Sequence, residues 1–320
     1  MRTFKDGDIK TLEQILSLKQ DSLRKVVSRF LKKHYGKVIE TDKYVFCEGT
    51  IPIALIAHLD TVFSLPPDEI YYDAKQGVMW SPDGLGADDR AGVFAILKII
   101  QSGLRPHIIF ATDEEKGGIG AAALAALDCP FKNLKYIIEL DRRGANDCVF
   151  YDCDNAEFVE YVETFGFVEA FGSFSDISII CPAWGIAGVN VSIGYRDEHS
   201  YSEVLFIGQM LATIEKIKKM LQAKDIPEFK YIPSPYGYGG YFWGNTSNAE
   251  KCHFCKHYFM EEELFPIITQ EGKTVFCCPD CIAKQVSWCT KCYSGYEKHS
   301  PEEPATGLCP ICNQKGDKKA

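Results

Sequence analysis

Residues 51–60 read IPIALIAHLD: an apolar run that ends in a histidine and, two positions later, an aspartate. Such a run reads as a strand that delivers His58 and Asp60 to its end. Outward from it, the chain alternates further apolar runs with helical stretches. The runs include YVFC at 44–47, PHIIFAT at 106–112, KYIIEL at 135–140 and GIAGVNVSIG at 185–194. The helical stretches include AGVFAILKIIQSG at 91–103, GIGAAALAAL at 118–127 and NAEFVEYVETF at 155–165. Strands separated by helices predict an α/β fold with a largely parallel central sheet sandwiched by helices. One or two amphipathic helices over residues 11–33 are expected to cover an edge or face of that sheet.

Five residues that can bind metal each stand just beyond an apolar run. His58, Asp88, Glu115, Asp141 and His199 all have side chains that ligate metal, and Glu114 adjoins the third of them. Their spacings of 30, 27, 26 and 58 positions begin near the length of a strand–helix–strand unit. Each is therefore expected at the carboxyl end of a different strand, the edge where crevices form in open parallel sheets. Two zinc ions need terminal imidazole or carboxylate ligands, one carboxylate shared between them and one unbound acid to move protons. Asp88, in the Gly-rich turn GLGADDRAG that enters a helix, is the best bridge, with Asp89 its rival. His58 and Asp141 would complete one ion's ligands, and Glu115 with His199 the other's. Asp60 would orient the His58 ring, and Glu114 would act as general base toward a metal-bridging water. A lone histidine is more often structural, and a run such as Asp113-Glu114-Glu115 is more often a solvated turn. The ordered recurrence of all of them at strand ends is what outweighs those readings.

The series AHLDTV, GLGADDRAG, TDEEKGGIGA, ELDRRG and DEHSYSE resembles the co-catalytic zinc exopeptidase superfamily: aminopeptidases, tripeptidases, related carboxypeptidases and deacylases. The resemblance covers residues 10–222. It implies a cis peptide after the bridging acid, here Asp88-Asp89, and a Ser175-Asp176 pair ahead of a strand and the last histidine. Many relatives carry a lid or dimerisation domain between ligands, and the gaps of 58 and 30 residues leave no room for one. What the resemblance implies first is a metallo-aminopeptidase, a hydrolase of amide bonds in peptides. A deacylase, amidase or carboxypeptidase on a small amide is the alternative, and a non-catalytic binding protein acting through its zinc fingers is the competing class.

Nine of the fourteen cysteines lie between Cys252 and Cys312. Cys252/Cys255, Cys278/Cys281, Cys289/Cys292 and Cys309/Cys312 form four CxxC pairs, enough thiolates for two tetrahedral structural zincs. Sequential pairing and an interleaved cross-brace remain open, and Cys277 could replace its neighbour. The expected organisation is a catalytic domain at 1–225, a Pro/Gly/aromatic connector at 226–248 and a small metal-stabilised finger domain at 249–320. Residues 249–320 hold nine lysines, no arginine and ten acidic residues, and the whole chain has a net charge of −9. The basic footprint of a nucleic-acid binder is thus missing, whereas a protein partner for the fingers is compatible with it. No run approaches the roughly 20 apolar residues of a membrane span. Paired CxxC motifs fit a reducing compartment, so a soluble cytoplasmic protein is expected.

Overall fold

The computed structural model describes residues 5–234, 249–256, 258–260, 264–300, 304 and 306–314. The chain divides into two compact units, Met1–Tyr238 and Gly239–Ala320. In chain order the first unit runs α1 (Asp6–Leu16), α2 (Gln20–Leu31), β1 (Val38–Glu40), β2 (Tyr44–Cys47), β3 (Ile51–His58), β4 (Tyr71–Asp73), β5 (Val78–Trp80) and α3 (Ala87–Gln101). It continues with β6 (Pro106–Ala111), α4 (Ile119–Ala125), β7 (Tyr136–Arg142), β8 (Asp147–Val149), α5 (Ala156–Glu163) and β9 (Val168–Glu169). It closes with α6 (Asp176–Trp184), β10 (Gly188–Ser192), β11 (Tyr195–Arg196), β12 (Val204–Phe206) and α7 (Ile207–Leu221).

An eight-stranded sheet in the order β1-β2-β6-β3-β7-β10-β8-β9 forms its centre. The four middle strands β6, β3, β7 and β10 are parallel to one another, as expected. Antiparallel pairings at β1-β2, β2-β6 and β10-β8 make the sheet mixed as a whole. Strand β3 shows why it lies at the centre: Ile53 and Leu55 enter one core cluster, Ala54 and Ile56 the other, and all four are fully buried. Each such aliphatic side chain contributes about 1.5–3 kcal/mol by leaving water. Helices α1, α2, α3, α5 and α7 supply side chains to the first cluster, and α4 and α6 to the second, which gives the helix–sheet–helix sandwich. A second, four-stranded sheet in the order β11-β12-β5-β4 stands apart from the first.

Residues 226–234 of the expected connector pack on this unit. Phe229 is buried in the larger core cluster, and its backbone bonds to both Lys135 and Ala187. Residues 235–248, with the remaining aromatics of that connector, lie outside the described residues.

The second unit contains a hairpin of β13 (Ala249–Lys251) and β14 (Tyr258–Met260). Then follow β15 (Phe265–Ile268), β16 (Thr274–Cys277), α8 (Pro279–Gln285), β17 (Val286–Cys289), β18 (Gly295–Glu297), β19 (Thr306–Gly307) and α9 (Pro310–Gln314). Its five-stranded sheet has the order β16-β15-β18-β17-β19. Cysteines make up much of its small buried core, alongside Leu264, Ile267 and Val286. A core this small rarely holds a fold without covalent or metal cross-links.

Candidate metal centre and active site

Because β6, β3 and β7 are parallel neighbours, their carboxyl ends meet at one edge. His58 ends β3, Asp141 lies near the end of β7, and Glu114 and Glu115 follow β6. Asp88 and His199 arrive differently from the expectation that each would end a strand of the main sheet. Asp88 sits in the first turn of α3, and His199 in the connection between β11 and β12. The second sheet is the reason: β5 pairs with β12, so one small sheet carries both the turn into Asp88 and the loop of His199. Gly84 in that turn has φ of 84°, and a Cβ there would stand 2.2 Å from the Phe63 ring. Only glycine fits both constraints.

The five ligand candidates converge. His58 Nε2 faces Asp88 Oδ1 at 3.1 Å and Asp141 Oδ1 at 3.5 Å. His199 Nε2 faces Asp88 Oδ2 at 3.1 Å and Glu115 Oε1 at 3.1 Å. Asp88 thus turns one oxygen to each histidine. The donor atoms of His58, Asp88 and Asp141 lie within 4.8 Å of one another, as do those of Asp88, Glu115 and His199. A third such group joins His58 and Glu115 to Glu114. A proton on one ring nitrogen shared between two carboxylates gives only a weaker, three-centre bond, whereas a cation at the middle of each triad satisfies all three donors at once. The residues present therefore fit two metal ions with Asp88 shared, and imidazole with carboxylate is a donor set that suits zinc.

Electrostatics agrees. Burial, with Asp88 nearby, raises Asp141 to about 7. Burial raises Glu114 to about 9, against the pull of His58 and with help from Asp141 and Glu139. On His58 burial acts downward, but Asp141, Asp60 and Asp88 lift its pKa well above the ordinary value. Asp60, Asp88, Asp89, Glu114, Glu139, Asp176 and Glu203 are all buried, with Arg90 the one buried arginine or lysine among the described residues. Carboxylates so crowded oppose one another's ionisation, and a divalent cation removes that conflict.

A second layer fixes the first. Asp60 stands 3.3 Å from His58 Nδ1, and its two oxygens accept the N–H groups of Glu114 and Glu115 at 3.0 and 3.1 Å. Asp89, the rival bridge, is turned away: it accepts the N–H of His58 at 3.3 Å and of Gly92 at 3.0 Å. The Asp88-Asp89 peptide is cis. A Cβ on Gly92 would lie 2.4 Å from Asp89 and 2.5 Å from the Leu140 carbonyl, so this close approach of α3 to β7 requires glycine.

Sequence reading missed several members of that layer. Glu203 accepts the N–H groups of Gly86 and Asp88, the latter at 2.9 Å. Tyr195 donates to Asp141 Oδ1 at 3.0 Å. Asn190 accepts the Asp141 N–H at 2.9 Å and donates back to its carbonyl at 2.8 Å. Ser175, which the resemblance had singled out together with Asp176, donates to Asp141 and Glu139, and Asp176 opens α6, the helix ahead of β10 and His199. A polar side chain inside an apolar strand, such as Asn190 in GVNVS or Glu139 in YIIEL, was the available signal.

In the second unit the thiols fall into two sets, Cys252/Cys255/Cys278/Cys281 and Cys289/Cys292/Cys309/Cys312. This is the sequential grouping. Cys255 and Cys278 sulfurs are 3.9 Å apart, and Cys292 and Cys309 sulfurs 3.7 Å. Four thiolates at a zinc–sulfur distance of about 2.3 Å would be separated by about 3.8 Å, so each set fits one tetrahedral zinc. Cys277 is buried outside both sets.

No family model matches the chain, and no curated protein matches it. Among solved structures it is similar to the aminopeptidase PepT from Bacillus cereus, with 16% identity and a TM-score of 0.52 over 66% of this chain and 96% of that one. A tripeptidase from Staphylococcus aureus is similar at 14% identity and a TM-score of 0.53, over 67% of this chain and 97% of that one. A TET aminopeptidase from a marine-sediment thaumarchaeote is similar at 14% identity and 0.51, over 69% and 98%. At these identities the likeness is one of fold: over about two thirds of its length the chain shares the α/β architecture of these solved structures.

Proposed function

We propose that the protein is a two-zinc metallopeptidase, an aminopeptidase acting on peptides, with two further structural zincs in its C-terminal finger domain. One observation carries the reading: Asp88 divides its two oxygens between two histidine-containing triads, while Glu114 lies within 4.8 Å of donors in both. When bound, the two zincs would polarise the scissile carbonyl and make a water molecule acidic near neutral pH.

The chain's own groups do the rest. Glu114 takes the proton of the attacking water and passes it to the leaving amine. Asp60 fixes both the His58 ring and the backbone from which Glu114 projects, so base and ligand are held to each other. Tyr195 and Asn190 hold Asp141, and Glu203 holds the backbone of Asp88. The catalytic unit is a minimal core without a lid domain, and the fingers are free to hold a protein partner or present substrate. Thiol clusters of this kind are kept reduced and metal-loaded in a reducing compartment, which supports the cytoplasm as its location. No helix among the described residues is long and apolar enough to cross a membrane.

Metal analysis combined with peptidase assays tests this. Glu114→Gln is expected to keep its metal and lose about 100-fold or more in kcat on unblocked peptides. A Glu114→Gln protein with undiminished turnover removes Glu114 from the mechanism. A metal-loaded wild-type protein inert toward every peptide and acyl-amide leaves a binding protein instead.

A further inference from the structure

We infer that the outward face of the small sheet β11-β12-β5-β4 is a docking surface for a second copy of this chain, stacked face to face about a two-fold axis along the strands. The inference stands independently of the catalytic reading above.

Residues paired across a ladder share a side of the sheet, and successive residues along a strand alternate sides. The registers therefore sort this sheet's side chains onto two faces. Tyr72, Met79, Leu205 and Tyr195 form the inward row. Met79, Leu205 and Tyr195 are buried in the larger core cluster, and Tyr72 packs against it. The outward rows are Tyr71, Trp80, Val204 and Arg196, then Asp73, Val78 and Phe206. None of these outward residues contributes to a core cluster of the first unit. Tyr71 is 44% and Trp80 38% exposed, their rings stacked at a centroid distance of 5.7 Å. Val78, Val204 and Phe206 beside them are half-buried. A continuous apolar face of this kind marks an interaction surface.

The charges on that face select the partner. Arg196 stands on one edge strand, β11, and Asp73 on the opposite edge strand, β4. The Arg196 guanidinium carbon lies 5.2 Å from the centroid of the Phe206 ring, so the cation leans into the row that contains Asp73. Arg196 makes no ion pair among the described residues. The Asp73 carboxylate accepts the Lys75 and Gln76 N–H groups, both on Oδ1. Half a turn about an axis along the strands lays β4 of one copy over β11 of the other, and β5 over β12. Each Arg196 then meets the partner's Asp73, twice by symmetry, and each Trp80 meets the partner's Val204. Stacked sheets lie about 10 Å apart, within the joint reach of an arginine and an aspartate side chain. A face complementary to itself in this way is isologous, the form that closes into a two-fold dimer.

The neighbouring charges leave that match in place. Asp197 and Glu198 follow Arg196 past the end of β11, and Glu198 is already paired with Arg143 at 2.9 Å. Asp68, Glu69 and Asp73 outnumber Lys75 around β4, so pairing the edge of β4 with that of a second copy sets like charges together, whereas stacking the faces does not.

The test is the oligomeric state of the zinc-loaded full chain, read by sedimentation velocity from about 1 to about 200 µM. Wild type is expected to form a dimer that dissociates on dilution. Arg196→Asp and Asp73→Arg each set like charges together at both symmetry-related contacts, and each is expected to weaken the dimer about tenfold or more. An equimolar mixture of the two variants brings opposite charges together at both contacts and is expected to dimerise as wild type does. Wild type that stays monomeric throughout overturns the inference and leaves the face to a different protein. Single variants that dimerise like wild type, or a mixture no tighter than the variants alone, overturn the face-to-face arrangement. Where a charge variant fails to fold, Trp80→Lys at its exposed position reads the same surface: loss of the dimer supports the inference, and undiminished dimerisation overturns it.

Discussion

Glu203 accepts the backbone N–H of Asp88 at 2.9 Å from a position 115 residues further along the chain. A carboxylate that holds the backbone of Asp88, and also the N–H of Gly86, ties the Gly-rich turn to the loop that carries His199. In Glu203→Ala both N–H groups lose their partner in a buried site. The expected cost is about 1–3 kcal/mol of stability, read from the urea midpoint of the metal-free protein. Glu203→Gln keeps one acceptor and is expected to lose less; equal losses in the two variants would mean that packing, not hydrogen bonding, is what Glu203 supplies.

Asp60 is held by His58 and by the backbone of Glu114 and Glu115, so its removal acts on the proposed ligands and the proposed base together. Asp60→Ala is expected to weaken zinc binding about 10- to 100-fold, measured by competition with a chromogenic chelator. Asp60→Asn, which retains an acceptor oxygen, is expected to fall between that variant and wild type. Wild-type affinity in Asp60→Ala would show that His58 is oriented by its strand alone.

Cys277 and Cys278 are adjacent in sequence, but of the two only Cys278 stands in one of the four-thiol sets. Cys278→Ser is expected to lose one zinc per chain and to destabilise the finger unit, whereas Cys277→Ser keeps the full zinc content. Metal analysis of the two purified variants decides it, and a loss confined to Cys277→Ser would reassign the ligand.

His107, at the opposite end of β6 from Glu114 and Glu115, gives a pH dependence of its own. Burial lowers its pKa to about 4, its Nδ1 accepts the Gly49 N–H at 3.0 Å, and its ring stacks on Phe131 at a centroid distance of 4.6 Å. Because the folded value lies below the ordinary 6.5, the folded state favours the neutral ring. The stability this gives is complete above about pH 6.5 and is lost as pH falls toward 4. The loss is expected to be on the order of 2 kcal/mol. His107→Asn, whose amide oxygen can accept the same N–H, is expected to show a shallower fall in unfolding midpoint over that range. Parallel pH profiles for the two proteins would remove His107 as the cause.

The sequence by itself determined the sandwich and the order in which the candidate ligands stand along it. Apolar runs such as IPIALIAH can only be buried, and strands alternating with helices leave little besides a central sheet covered on both faces. Where a run of fixed direction ends, the next residue must appear at the sheet's edge, which is why His58, Glu115 and Asp141 could be grouped before any coordinates. Four CxxC pairs likewise announced two thiolate sites. Tertiary structure decided what depends on contacts between distant segments. Asp88 rather than Asp89 faces the histidines because Asp89 is taken by the N–H groups of His58 and Gly92. His199 arrives on a small second sheet whose β5-β12 pairing no local period encodes. Glu203, Tyr195 and Asn190 join the site through hydrogen bonds across 115, 54 and 49 positions. The grouping of the cysteines also waited for the fold, since spacing along a chain does not say which pairs a folded sheet brings within one ion's reach.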